Sequence, residues 1–226
     1  MTPFQQAVKF NNEAVTALLE GNYSTAVESL TNSIKAMKQQ LSNAAKPTQT
    51  DKTDSLSFSS RNLSIVELPV PEDQQDSFLF NNVFVIPDTD NDELPAADIN
   101  MYTAAVVFNM ALAHHRQRNQ PLKKTEKLYQ MTLKVLGHQS YHPNSCSCYM
   151  SLVIQLASIN NLSQLHSNTH GMEDMAMEVV QKLCNVVTLV GTVDNDNHGM
   201  FFDDRYLQEL LVNVLFLKAP EVAAAA

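Results

Sequence analysis

Gly21-Asn22-Tyr23-Ser24-Thr25-Ala26-Val27 decides how the chain begins to fold. Upstream of it, Phe4, Ala7, Val8, Ala14, Val15 and Leu18 recur at three- and four-residue steps. That spacing puts them on one face of a helix, predicted over about residues 2–20. Gly21 takes the left-handed conformation that ends a helix at little cost. Downstream, Ala26, Val27, Leu30, Ile34, Met37 and Leu41 make the apolar stripe of a second helix, about 24–42. So short a connection makes the two helices antiparallel neighbours.

Beyond this hairpin the pattern changes. Residues 43–60 are polar and read as a linker. Leu63-Ser64-Ile65-Val66-Glu67-Leu68 has strand character, as has Phe78-Leu79-Phe80, which continues past Asn81-Asn82 into Val83-Phe84-Val85-Ile86. Pro69 and Pro87 end the two runs. The reading is a small two-stranded ribbon, and such a ribbon needs a neighbour to be stable. Residues 43–97 are thus an insertion, closed by the acidic stretch Asp88 to Asp98.

Helical periodicity then resumes. A third helix, about 99–117, is apolar on nearly all sides and belongs in the middle of a stack. A fourth begins near Pro121, with Leu122, Thr125, Leu128, Tyr129, Thr132, Leu133 and Leu136 inward and Gly137 as its stop. A fifth covers about 144–165, with Tyr149, Leu152, Val153, Leu156 and Ile159 inward. A sixth covers about 172–190, and a last one about 202–217. The fold class is all-α: three helix hairpins and a terminal helix in a single domain over 1–226.

Several residues resemble a tetratricopeptide repeat (TPR). Gly21-x-Tyr23-x-x-Ala26-Val27 is similar to the TPR turn and the start of its second helix. Ala14 stands at the small position of the first helix and Phe10 at the large aromatic one. Leu30 and Ser33-Ile34 match the second helix. Asn109-Met110-Ala111 resembles the first-helix core of a second repeat; Thr125, Tyr129, Thr132 and Leu133 resemble its second helix, displaced by a two-residue insertion in the turn. More narrowly, Asn11-Asn12-Glu13-Ala14-Val15 with Phe108-Asn109-Met110-Ala111-Leu112-Ala113-His114-His115 resembles a TPR-like group expanded in diatoms, in which a variable insertion separates the first two hairpins. The resemblance implies stacked hairpins with a concave face lined by the first helix of each. It implies that Asn11, Val15, Leu18, Phe108, Leu112 and His115 face a partner helix or peptide there. Val15 stands where chaperone-binding TPRs carry an asparagine, so their carboxylate clamp is not expected.

Charge and motifs exclude much else. Lys and Arg total 15 against 24 acidic residues, a net charge of −9, which disfavours a nucleic-acid partner. The mild basic cluster Arg116, Arg118, Lys123, Lys124 and Lys127 reads as a solvated hairpin end. With five glycines there is no phosphate-binding loop and no hydrolase or Walker motif. His138, His142, His166 and His170 flank Cys146-x-Cys148, but Pro143 interrupts the first pair and the second falls in a predicted turn. They read as polar turn residues, not as a zinc site. Asp194-x-Asp196-x-His198-Gly199 begins like a calcium loop, but Arg205 stands where a bidentate glutamate is needed. His114 reads as a packing residue. No metal or cofactor is expected, and no enzyme. The absence of a leader pattern and of an apolar span predicts an intracellular protein, cytoplasmic or nuclear, off the membrane. The functional expectation is an adaptor or scaffold that binds a protein partner; the alternative is a subunit of a larger assembly with the ribbon as its docking arm, or, less favoured, a helical small-molecule binder or enzyme.

Overall fold

The computed structural model describes residues 1–44, 63–69, 79–88, 96–117, 121–137 and 146–167, together with four helical positions, Gln181, Tyr206, Leu210 and Asn213. The expected sixth and seventh helices, and the histidines and aspartates around them, otherwise lie outside the described residues. The protein is all-α with one small ribbon. Helix α1 spans Pro3–Leu19 and α2 Tyr23–Ala44; strand β1 spans Ser64–Glu67 and β2 Asn82–Val85; α3 spans Ala96–Arg116, α4 Leu122–Leu136 and α5 Cys146–Ser167.

The opening turn folds as its residues demand. Thr2 caps α1 and exchanges hydrogen bonds with Gln5 in a capping box. At the other end Gly21 has φ 72°, and the Asn22 N–H reaches back to the Ala17 carbonyl at 2.8 Å. That pairing satisfies carbonyls a helix end leaves open. The Asn22 side chain then accepts from the Thr25 N–H and starts α2. Ala14 and Ala26 are fully buried, and the Ser33 hydroxyl donates to the Ala7 carbonyl at 2.7 Å across the hairpin. Small side chains at these sites let α1 and α2 approach closely.

Helix α3 is buried along its whole length from Met101 to His114. It packs on α2, α4, α5 and β2, which is why no side of it is polar. It starts at Ala96, earlier than the periodicity indicated, with Asp98 in its first turn, where a carboxylate suits the helix dipole. Helix α4 lies outside it, amphipathic, with Thr125, Tyr129, Thr132 and Leu136 inward.

Three expectations need correction. Leu122 is exposed along with Lys123 and Lys124, so the first turn of α4 faces solvent and its burial begins at Thr125. Arg116 is not part of a solvated basic end: it is buried and hydrogen-bonded to the insertion, while Lys123, Lys124 and Lys127 are exposed. His166 sits in the last turn of α5, not in a loop, and its Nε2 lies 3.5 Å from the Glu126 carboxylate.

The ribbon forms as expected. β1 and β2 run antiparallel in the register Ser64 with Val85, Ile65 with Phe84, Val66 with Val83 and Glu67 with Asn82. β2 is the inner strand, against α1 and α3.

Candidate functional site

An extended backbone presents the N–H and C=O of one residue to one edge and those of the next to the opposite edge. A carboxamide carries a donor and an acceptor side by side, so one asparagine matches both groups of a single residue. Three asparagines use that match on residues 80–86. On α1, Asn12 accepts from the Ile86 N–H at 3.2 Å and donates to its carbonyl at 2.8 Å. On α3, Asn109 does the same to Phe84 at 2.9 and 2.7 Å. On α5, Asn161 takes Phe80 at 2.8 and 3.2 Å.

The clamps are tied to one another. Asn11 donates to the Phe84 carbonyl at 3.0 Å and accepts from Asn109 at 3.0 Å. The second N–H of Asn161 reaches the Tyr129 hydroxyl at 3.1 Å. Burial holds Tyr129 well above the usual phenol range, so its hydroxyl stays neutral. Tyr129 also meets His115 at 3.2 Å. Burial, and then the Arg116 charge, lower His115 to about 4, so it is neutral at physiological pH.

Side chains add a second layer. Phe84 meets the Phe108 ring edge-on at 5.2 Å between centroids, and Phe80 meets Phe108 at 6.2 Å and Tyr206 at 6.3 Å. Phe80, Val83, Phe84 and Ile86 are fully buried. Arg116 fixes the end of the ribbon: its guanidinium donates to the Asn81 side chain and to the Pro69 carbonyl, and Asn81 in turn donates to the Leu68 carbonyl.

The energetic balance of this segment is close. Ordering residues 79–86 costs on the order of 12 kcal/mol of backbone entropy. Burying Leu79, Phe80, Val83, Phe84 and Ile86 gains about 11 kcal/mol. The asparagine clamps, the β1 ladder and the Arg116 contacts add to that balance. Leaving a clamped N–H or C=O buried without a partner costs about 1–3 kcal/mol.

Of the six residues expected to face a partner, Asn11 and Phe108 touch the inserted segment, and His115 supports it through Tyr129. Val15, Leu18 and Leu112 are buried in the helix packing and offer no open surface. The face expected to await a partner is filled by the chain itself. Sequence reasoning missed Asn12, Asn109 and Asn161 as a set. The available signal was an amide in an apolar helical run, as in Phe108-Asn109-Met110, since a buried amide requires a partner.

Carboxamides do not ionise near neutral pH, and the three asparagines act here as paired hydrogen-bond donors and acceptors. Among the described residues, no group of three or more His, Cys, Asp or Glu is placed to hold a metal ion, and no helix is long and apolar enough to cross a membrane. No family model matches the chain, no curated protein matches its sequence and no solved structure matches its fold.

Proposed function

We propose that the protein is a protein-interaction module built of TPR-like hairpins, and that its first-helix face binds polypeptide in the extended form. The observation that supports this is the set of paired contacts from Asn12, Asn109 and Asn161 to single residues of one extended segment. The same contacts argue for an extended peptide over a partner helix. A helix interior has already used its N–H and C=O groups internally, and a carboxamide has nothing there to clamp.

Quantitative affinity purification tests this reading, with the wild-type chain compared against Asn12→Ala. Asn12 lies at the partly exposed rim of the cleft, so this change disturbs the fold least. Loss of specific partners in the variant supports cleft recognition. An unchanged partner set contradicts it.

One observation favours a second reading, a subunit that docks through its ribbon. With Leu68 paired to Asn81, alternation turns the backbone groups of Ile65 and Glu67 away from β2, toward the outer edge. Among the described residues no strand pairs with that edge, and an unpaired strand edge is a template for strand addition. A stable complex that survives Asn12→Ala but is lost on Ile65→Pro, which removes an outward N–H, selects this reading.

A further inference from the structure

We infer that residues 79–86 are a resident ligand: a segment the chain lends to its own cleft, which gives way to an extended segment of another polypeptide with the same spacing. This rests on the cleft being a recognition site. The spacing is set by the occupant. Phe80 and Phe84 are four apart, Ile86 follows two later, and these three residues are the ones clamped by Asn161, Asn109 and Asn12. The incoming segment therefore carries aromatic side chains at its first and fifth positions and a branched aliphatic one at its seventh.

Three features make the occupant exchangeable. The helices form a continuous stack without it: α1 packs on α2, α2 on α3, α3 on α4 and α4 on α5. The helices hold it through side chains, so its departure breaks no helical hydrogen bond and leaves each asparagine ready to clamp again. Its burial and its ordering cost are nearly balanced, so a rival with the same contacts competes on equal terms, apart from the advantage of tethering. That advantage is an effective concentration on the order of millimolar. The wild-type chain is thus a self-occupied, closed form, and trans ligands bind it weakly until the resident segment is loosened.

The test uses a labelled synthetic peptide with the sequence of residues 77–90 and a scrambled control. It is titrated against the wild-type chain, the double variant Phe80→Ala/Phe84→Ala, and a chain in which 63–88 is replaced by a Gly/Ser linker. Both altered chains should fold and bind the peptide at least tenfold more tightly than wild type. Adding Asn109→Ala to either should weaken binding at least tenfold, and the scrambled peptide should not bind. A folded altered chain that fails to bind, or that binds both peptides alike, overturns the exchange. So does loss of cooperative folding in both altered chains, because a segment that cannot be removed is core and not ligand. If the exchange fails while partners still depend on Asn12, recognition is confined to the partly exposed rim at Asn12 and the resident-ligand role falls.

Discussion

The two edges of residues 80–86 are satisfied by different means. Toward β1, the backbone groups of Val83 and Val85 meet another strand, in an ordinary antiparallel ladder. Toward the helices, Phe80, Phe84 and Ile86 meet asparagine side chains from α1, α3 and α5. The strand edge travels with the insertion, since β1 belongs to it. The helix edge is formed by side chains of α1, α3 and α5, which grip the backbone of Phe80, Phe84 and Ile86 directly. That difference shows how a stack of helices, whose own backbones are saturated, still recognises a backbone: it projects carboxamides at the interval of the extended chain.

Perturbing the helix edge should cost far more than its distance from the chain ends suggests. Phe84→Ala removes both a buried ring and its contact with Phe108, and should lower the free energy of opening the segment by about 4 kcal/mol, read from exchange of the Phe80 and Ile86 amides with α3 still protected. A change under about 1 kcal/mol would mean that the segment is not held against α3. Asn109→Ala leaves the Phe84 N–H buried without a partner and takes one of two donors from its carbonyl; about 3 kcal/mol is expected from the same measurement. An effect equal to that of an exposed asparagine would place the holding force in the ribbon edge alone.

Acid sharpens the contrast, because the helix side carries the half-buried His115 behind its clamp. His115 has a folded pKa of about 4, below its ordinary value of 6.5. The unfolded chain therefore takes up its proton first. The contribution is complete above about pH 6.5 and is lost as pH falls toward 4, at roughly 1.4 kcal/mol per pH unit. Stability at pH 5 should thus be about 2 kcal/mol lower than at pH 7, and His115→Phe should flatten that slope; an unaltered slope would exclude His115 as its source. Asn12→Ala, at the rim, is expected to cost the least, about 1 kcal/mol, as a modest fall in melting temperature. A larger loss than at Asn109 would reverse the ranking of the clamps.

Most of the helical frame was legible in the sequence. The Gly21-Asn22 turn, the stripes of α1, α2 and α4, and the all-round apolar character of α3 follow from periodicity and from glycine's access to positive φ. The two strands were legible from their β-branched and aromatic runs, bounded by Pro69 and Pro87. Where the ribbon docks was not, because alternation assigns a strand but not the surface that covers it. α5 hid its role for a related reason. Ser158, Asn160 and Asn161 are buried beside Ala157 and Leu156, and polar residues on a helix ordinarily mark the solvent side. Asn161 is inward because Phe80 and Tyr129 supply its hydrogen-bond partners, and both are remote in sequence. Arg116 misled in the same way: its charge suggested solvent, but the Pro69 carbonyl and Asn81 give it a place inside.

Amide hydrogen exchange followed by NMR tests most directly whether the helix face clamps an extended chain. The N–H groups of Phe80, Phe84 and Ile86 should be protected roughly a hundredfold or more over open chain, and should open together, before those of α3. In Asn109→Ala the Phe84 amide should lose that protection first. Exchange of these three amides at open-chain rates in the wild-type protein, with α3 still protected, would contradict the clamp.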